Sequence, residues 1–221
     1  MKKPCVVFDL DGTLADTSGD LLAAANACFR DLGLGDLLSA PDDSGTALRG
    51  GRAMLTAGFD RAGWIDMAEI DRQYPRLLAY YAQAIDTHTV MYPGAVAAVQ
   101  ALRDAGYATA ICTNKPEGLA ETLMQRLGVR GLFDALIGAD TLPTRKPDPA
   151  PFWAAVDQAG GDRARCVLVG DTITDRNTST AAGVPSLLVT FGPAGGDMAA
   201  LAPDALLPDY GQLMQIVQRL I

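Results

Sequence analysis

VVFDLDGTL, at residues 6–14, is the stretch that best indicates the fold. Its apolar start is too short for a helix and is typical of a buried strand, and Gly12 allows a sharp turn directly afterwards. In a strand, Asp9 and Asp11 would point to the same side, because side chains alternate with a period of two. Two carboxylates at close range are costly unless a cation lies between them or one keeps its proton. The alternative is an ordinary strand end, with one Asp in an Asp-Gly turn.

Length and composition describe a globular protein. A chain of 221 residues with 49% hydrophobic residues suits one large domain or a domain that carries an insertion. The net charge is -8, and no run of Lys or Arg could form a cationic face, which argues against nucleic acid or an anionic membrane as a partner. An anionic small substrate is compatible with this charge, because a bound cation or a few local basic residues can reverse the field inside one pocket.

The cysteines predict buried free thiols in a reducing compartment. Cys5, Cys28, Cys112 and Cys166 show no CxxC spacing, and three of the four lie in or beside apolar runs. The apolar run near the N-terminus is interrupted at Asp9, too early for the core of a signal peptide. No apolar stretch approaches the length that spans a bilayer. We therefore expect a soluble cytoplasmic protein.

Residues 15–88 are expected to form an all-helical insertion, since they contain no convincing strand. One apolar face at helical spacing consists of Leu21, Leu22, Ala25, Cys28, Phe29 and Leu32. Gly33 and Gly35 can end that helix. Further helices are predicted near 45–59, 66–72 and 74–85.

Helices and strands alternate in the remainder of the chain. After the first strand, further strands are predicted at 108–112, 135–138, 166–170 and 186–190. Helices are predicted at 95–105, 117–127, 149–159, 178–182 and 210–220. This alternation indicates an α/β fold, a Rossmann-like parallel sheet with helices on both faces. The Gly192–Gly196 loop is expected to be an ordinary turn.

Polar side chains follow four of the predicted strands. In chain order they are Asp9 and Asp11, then Thr113-Asn114-Lys115, then Arg145-Lys146-Pro147, and finally Asp171 with Asp175. Ligands of open parallel sheets bind beyond the carboxyl ends of the strands, so we expect these side chains to converge. One polar strand end is ordinary, whereas four of them predict a site for a cation and an oxyanion. Lys115 could raise the positive potential there or lie on the surface.

These residue types suit phosphoryl transfer. Mg²⁺ prefers oxygen ligands and is usually held by a few carboxylates together with phosphate oxygens, which here would be Asp9, Asp171 and Asp175. A carboxylate can also attack phosphorus and form an aspartyl-phosphate, which divides one hard hydrolysis into two easier steps. Lys146 and the Thr113 hydroxyl would complete the phosphate site.

Four motifs, in this order, resemble those of the haloacid dehalogenase-like hydrolase superfamily: DLDGTLADT at 9–17, TNKP at 113–116, RKPDPAPF at 145–152 and GDTITD at 170–175. The resemblance covers nearly the whole chain. It implies a catalytic core formed by residues 1–14 and 89–221, with residues 15–88 as a helical cap domain. It also implies a Mg²⁺-dependent phosphatase that hydrolyses a small phosphate monoester.

The resemblance assigns different roles to the first two aspartates. Asp9 would be the nucleophile and a Mg²⁺ ligand. Asp11 would be the general acid and base, and its backbone carbonyl would also bind the metal. A bend in the backbone after Asp9, helped by Gly12, would separate the two carboxylates.

Roles for the later motifs follow from the same resemblance. Thr113 and Lys146 would hold the phosphoryl group, and Lys146 would also offset the charge of Asp9. Asp171 and Asp175 would bind Mg²⁺, Asp175 through a water molecule.

Other reactions of the superfamily are less compatible with this chain. Dehalogenases need neither a metal nor a proton donor, so Asp11 and the Asp171/Asp175 pair argue against that reaction. Thr13 favours hydrolysis, since phosphomutases usually resemble DxDGV. The alternative from another class is a non-catalytic module that binds a phosphorylated ligand or a protein.

The phosphoglycolate phosphatase subgroup shows the greatest resemblance, through TNKP, the Tyr92-Pro93-Gly94 entry to the core and the size of the cap. Arg49 and Arg52, in LRGGR at 48–52, could pair with a substrate carboxylate, and Asn114 is a further candidate for substrate binding. Pyrophosphate, sugar phosphates and nucleotides stay open as substrates. The expected partner is a small phosphorylated metabolite, and the chain would be a monomer or a homodimer.

Overall fold

The computed structural model describes residues 2–64, 66–192 and 195–221, without the side chains at 195–197. Part of the Gly192–Gly196 loop, for which we expect a turn, therefore lies outside the described residues. The chain divides into two compact units, Met1–Ala15 with Met91–Ile221, and Asp16–Val90. The first unit contains the main sheet, and the second unit is helical.

A parallel six-stranded sheet forms the centre of the first unit, which confirms the predicted fold class. In chain order the strands are β1 (Lys3–Phe8), β2 (Ala15–Asp16), β3 (Val90–Met91), β4 (Ala108–Cys112), β5 (Ala135–Ile137), β6 (Gly161–Gly170), β7 (Ser186–Val189) and β8 (Ala205–Leu207). The sheet has the order β5-β4-β1-β6-β7-β8, while β2 and β3 form a separate two-stranded sheet. Strand β8 was not predicted, because its three residues lie between two prolines.

Helices cover both faces of the sheet. The helices of this unit are α5 (Ala95–Asp104), α6 (Glu117–Arg126), α7 (Ala150–Gln158), α8 (Ile173–Ala182) and α9 (Leu213–Leu220). Phe152 of α7 packs on the face that carries Val7 and Leu168. Arg103 of α5 donates a hydrogen bond to the Thr109 hydroxyl at 3.2 Å, on the opposite face, because side chains alternate along β4. This two-sided burial explains why the strands are almost continuously apolar.

The described residues of the second unit, 16–64 and 66–90, form four α-helices: α1 (Ser18–Asp31), α2 (Ser44–Leu48), α3 (Gly51–Arg61) and α4 (Met67–Gln83). The apolar face predicted for α1 is buried, at Leu21, Leu22, Ala25, Cys28 and Phe29. The Asp20 carboxylate accepts hydrogen bonds of 2.9 Å from the backbone N–H groups of His88 and Thr89. This contact joins the first helix of the unit to its last residues.

Two parts of the helical unit differ from the prediction. The helix expected over 45–59 is divided into α2 and α3, because Gly50 adopts a φ of 98°, which ends one helix before the next begins. The separate helices expected at 66–72 and 74–85 are one helix, α4, with Pro75 in its interior. Residues on both sides of this proline are buried, so packing outweighs the lost backbone hydrogen bond.

Helix α8 begins earlier than predicted, at residue 173 instead of 178. Thr172 and Asp175 form a capping box, in which the side chain of each residue accepts a hydrogen bond from the backbone N–H of the other. The capping residues are polar, so the apolar pattern used for the prediction did not include them.

All four cysteines are free and buried, as predicted. Burial raises the pKa of Cys5 and of Cys112 to about 12. Since the thiolate is the reactive form, these two side chains serve as core residues and not as nucleophiles.

Replacing Gly58 with alanine should destabilise the protein, although alanine favours helices. A Cβ at Gly58 would overlap the ring of Phe29, which is fully buried and packs edge-on against Phe59 with ring centroids 5.3 Å apart. We expect Gly58→Ala to lower the free energy of unfolding by about 1–3 kcal/mol in urea titrations. Gly45→Ala, in α2, is the control, because a Cβ there has no neighbour within 4 Å. A Gly58→Ala variant as stable as the Gly45→Ala variant would contradict this packing.

Candidate active site

The carboxyl ends of the central strands lie side by side. Phe8, the last residue of β1, is in register with Ile111 of β4 and Val169 of β6. The Asp9 N–H donates to the carbonyl of Val169 at 2.8 Å, so Asp9 continues directly from the sheet. The Thr113 N–H donates in the same way to the backbone carbonyl of the last residue of β5, at 3.0 Å. The sheet therefore fixes the backbone of the first two predicted motifs.

Asp9 is buried at the end of β1. Its Oδ1 accepts a hydrogen bond from the Leu10 N–H at 2.7 Å and lies 3.0 Å from the Lys146 ammonium. The chain then turns sharply, because the Leu10 carbonyl accepts from the N–H groups of Leu14 and Ala15. Gly12 has a φ of 80°, which places it in the left-handed region within this turn.

Asp11 has a different partner from Asp9. Its Oδ1 lies 2.7 Å from the Lys115 ammonium, and the Lys115 side chain is only 4% exposed. A surface position for Lys115, one of the two alternatives from the sequence, is therefore wrong. The two aspartates that would repel each other in an extended strand each face an ammonium group.

Three carboxylates form a buried cluster. Asp9, Asp171 and Asp175 each place an oxygen within 4.8 Å of the others. The Thr13 hydroxyl donates to Asp171 at 2.8 Å, which connects the first motif to the last. Lys146 lies 2.6 Å from Asp175 in addition to its contact with Asp9. The structure thus brings together the residues that the sequence predicted at the ends of separate strands.

Asp175 also caps helix α8. Its Oδ2 accepts from the Thr172 hydroxyl at 2.6 Å and from the Thr172 N–H at 3.1 Å, while its Oδ1 faces Lys146. The structural role and the contact with the site are therefore combined in one side chain.

Burial and mutual repulsion shift the pKa values of the cluster. Burial raises the pKa of Asp9 to about 6, against the effect of Lys146, with further increases from Asp175 and Asp11. The pKa of Asp171 is raised well above its ordinary value by burial and by the charges of Asp9 and Asp175. Burial lowers the pKa of Lys146, but the carboxylates of Asp175 and Asp9 outweigh it and raise the pKa above its ordinary value. Lys146 is therefore charged.

The loop after β4 supports Lys146 and Lys115. The Asn114 side-chain amide donates to the backbone carbonyl of Lys146 at 3.0 Å. The Thr113 hydroxyl is buried and accepts from the Lys115 N–H at 3.1 Å. In the described structure, Asn114 thus positions a lysine of the site, and its predicted contact with a substrate stays a prediction.

Tyr210 is a supporting residue that the sequence did not indicate. Its buried hydroxyl donates to the backbone carbonyl of Thr13 at 2.7 Å, across 197 positions of the chain. The contact fixes the turn whose Thr13 side chain holds Asp171. A tyrosine in a predicted helix carries no signal for such a contact.

The predicted substrate arginines lie in the helical unit. Arg49 donates to the Thr46 hydroxyl at 2.9 Å. Arg52 forms an ion pair with Asp71 and lies over the ring of Tyr74, 4.8 Å from its centroid. These contacts all lie within the helical unit, and binding of a substrate by either arginine stays a prediction.

The donor set of the cluster fits a divalent cation. Four carboxylates, Asp9, Asp11, Asp171 and Asp175, face two ammonium groups, Lys115 and Lys146. Within the cluster itself, the three carboxylates of Asp9, Asp171 and Asp175 against the one ammonium of Lys146 leave a formal surplus of two negative charges, which one divalent cation would balance. All of the candidate ligands are hard oxygen donors, which suit Mg²⁺ rather than a metal that prefers sulfur or imidazole.

Comparison with known proteins agrees with this geometry. Residues 3–183 match the haloacid dehalogenase-like hydrolase family. The chain is 38% identical to a phosphoglycolate phosphatase of Mesorhizobium japonicum over 100% of this chain and 98% of the relative. It is 36% identical to a phosphoglycolate phosphatase of Agrobacterium fabrum over 95% and 90% of the two chains.

Among solved structures, a predicted phosphoglycolate phosphatase from Haemophilus somnus superimposes with a TM-score of 0.84 over 99% of each chain, at 24% identity. This likeness supports the fold. The family match over residues 3–183 and the two relatives above 30% identity lead to one conclusion: the chain belongs to the haloacid dehalogenase-like hydrolases.

Proposed function

We propose that this hydrolase is a Mg²⁺-dependent phosphatase for a small phosphate monoester, with phosphoglycolate as the preferred substrate. The observation that carries the proposal is the buried cluster in which Lys146 lies 3.0 Å from Asp9 and 2.6 Å from Asp175, with Asp171 beside them. A buried carboxylate next to a fixed ammonium is suited to attack an anionic phosphoryl group. Relatives named phosphoglycolate phosphatase, which cover nearly the full chain, support the substrate.

The first half of the reaction uses Asp9 and Asp11. The Leu10 hydrogen bond and the Lys146 ion pair both use Oδ1 of Asp9, so we assign the attack on phosphorus to Oδ2. The bond between Oδ2 and phosphorus forms, while the bond from phosphorus to the leaving oxygen breaks. Asp11 gives its proton to that oxygen, and the product alcohol leaves.

The second half hydrolyses the aspartyl-phosphate. Asp11, now ionised, takes a proton from water as the water oxygen attacks phosphorus. The bond between phosphorus and Asp9 breaks, which restores the carboxylate and releases phosphate. Lys146 and the Thr113 hydroxyl would hold the phosphoryl oxygens in both halves.

Asp9, Asp171 and the backbone carbonyl of Asp11 would hold Mg²⁺, with Asp175 as an outer ligand through water. When bound, Mg²⁺ neutralises charge on the phosphoryl oxygens and lowers their repulsion of the nucleophile. Under this proposal, residues 1–14 and 89–221 are the catalytic core, and residues 15–88 are the cap that selects the substrate.

Several other substrates and activities compete with this proposal. Pyrophosphate, sugar phosphates and nucleotides are the competing substrates, and a phosphomutase would give an isomerised product instead of free phosphate. A non-catalytic phosphate-binding module would release no phosphate at all. No helix in the described part of the chain has the length and apolar character to cross a membrane. The cytoplasmic location and the monomeric or homodimeric state stay predictions.

Asp9→Asn should abolish turnover while the fold survives. The fold is expected to survive because Lys146 keeps its ion pair with Asp175 at 2.6 Å. We expect phosphate release to fall by at least about 10³-fold, since the nucleophile is lost. Asp157→Asn is the control, because Asp157 is an exposed partner of Arg163. Folding is checked by circular dichroism and urea titration, and near-native turnover by Asp9→Asn would overturn the mechanism.

Mg²⁺ should stabilise the protein more at about pH 8 than at about pH 5. The pKa of Asp9 is raised to about 6, so without metal the folded state loses stability as the pH rises from the ordinary value of about 4 through about 6. Metal binding needs the ionised carboxylates and reverses this loss. At pH 8, a Mg²⁺ concentration of about 100 times Kd would add about 2.7 kcal/mol, measured as a rise in Tm, and the same concentration should add less at pH 5. Asp171→Asn should remove the rise, and an equal rise at both pH values would contradict the assignment of the ligands.

The arginines of the helical unit should determine specificity. In a panel of phosphate esters, phosphoglycolate should give the highest kcat/KM. Arg49→Met or Arg52→Met should raise KM for phosphoglycolate about 10- to 100-fold, because a charge-assisted hydrogen bond contributes about 1.5–3 kcal/mol. Neither variant should affect ethyl phosphate, which has no carboxylate. Arg76→Met, an exposed arginine of α4 paired with Asp31, is the matched control. Equal losses on both esters would contradict carboxylate recognition.

A further inference from the structure

Lysine is rare in this chain, and its distribution is uneven. There are four lysines; Lys2 and Lys3 are exposed near the N-terminus, and Lys115 and Lys146 are buried at the candidate active site. Lys146 lies between Asp9 and Asp175, a position that accounts for its burial. The mechanism proposed above leaves Lys115 without a function.

The backbone holds Lys115 in one place. Its N–H donates to the Thr113 hydroxyl at 3.1 Å, and its carbonyl accepts from the Ala139 N–H at 2.9 Å. These bonds attach the residue to the end of its own strand and to the segment that follows β5. A lysine side chain loses considerable rotamer entropy when it is immobilised, so a fixed and buried ammonium needs a strong partner.

That partner is Asp11, at 2.7 Å. Asp11 lies beyond the end of β1, directly before Gly12 with its φ of 80°, in an isolated β-bridge with Ala15. In an extended strand, the carboxylates of Asp9 and Asp11 would lie on the same side and repel each other. The Asp11 carboxyl instead contacts the Lys115 ammonium, a buried group whose backbone is fixed on both sides.

We propose that Lys115 is a positioning residue, which holds the Asp11 carboxyl where it can exchange a proton with the leaving oxygen and with water. This inference rests on the proposed function, in which Asp11 is the general acid and base. Lys115 touches neither phosphorus nor the leaving group and acts only through Asp11.

The test compares kcat/KM across phosphate esters with different leaving groups. General acid catalysis matters most for a poor leaving group such as an alkoxide, and least for p-nitrophenolate. We therefore expect Lys115→Met to lower kcat/KM for alkyl phosphates about 10²-fold, with only a small loss on p-nitrophenyl phosphate. The slope of log kcat/KM against leaving-group pKa should become steeper, which a general structural defect would not cause. Lys2→Met is the control and should leave the slope unchanged.

A double mutant shows whether the effect passes through Asp11. In an Asp11→Asn background, Lys115→Met should cause no further loss on p-nitrophenyl phosphate, because the carboxyl that it positions is absent. An additional loss there would overturn the proposal. A loss confined to esters that carry a carboxylate would also overturn it, since Lys115 would then bind the substrate directly.

Two further results separate the possible failures. If Asp11→Asn leaves the slope of log kcat/KM against leaving-group pKa unchanged, the proposed role of Asp11 is wrong. If Asp11→Asn makes the slope steeper but Lys115→Met does not, only the role of Lys115 is wrong. If Lys115→Met fails to fold, Lys115→Arg is the second variant, because arginine keeps the positive charge but places it at a different distance from the backbone. We expect it to fold and to retain more activity on p-nitrophenyl phosphate than on alkyl phosphates, and a uniform loss would overturn the proposal.

Discussion

The ammonium group of Lys146 is the charge on which the rest of the site depends. It lies between Asp9 at the end of β1 and Asp175 in the first turn of α8, with only 2% of its side chain exposed. A buried charge without any partner costs several kcal/mol, so the ammonium needs at least one of these two carboxylates beside it. Asp175 extends this dependence to the backbone, because its second oxygen caps the helix through Thr172. The position of Asp9, the proposed nucleophile, is thereby coupled to the fold of the sheet and of the helix beside it.

A second lysine gives different surroundings to two carboxylates that are only two residues apart. Asp9 and Asp11 follow the same strand, and in a uniform environment they would behave alike. Lys146 is shared between two carboxylates, whereas Lys115 contacts Asp11 at 2.7 Å. Different surroundings give the same side chain different chemical roles, which is the general condition for a nucleophile and an acid to work next to each other. The turn at Gly12 makes this separation possible, since it ends the alternation of the strand.

The sequence predicted the sheet and the acidic cluster because both depend on local signals. The apolar runs predicted the strands of the sheet. The polar residues that follow those runs, such as Asp9, Thr113 and Asp171, were the side chains expected to converge. Long-range contacts of single atoms were not predictable, such as the hydrogen bond from Tyr210 to the backbone of Thr13. Their partners are set by tertiary packing, which periodicity does not describe. The same reason explains the helix that continues through Pro75, where buried residues on both sides outweigh a local breaking signal.

The buried and the exposed ion pairs of the molecule differ in how easily one of the partners can be replaced. Lys146 and its carboxylates are almost completely buried, so the loss of the ammonium would leave the carboxylates of Asp9 and Asp175 buried without this cation. The Arg52–Asp71 pair is 54% and 62% exposed, and an exposed pair contributes only about 0–1 kcal/mol. A carboxylate on a substrate could therefore replace Asp71 as the partner of Arg52 at little cost to the fold. Under the proposed function, substitution of residues in the helical unit would change substrate preference, whereas the buried charges of the core allow little change. This contrast gives a physical reason why the reaction is easier to infer from the sequence than the substrate.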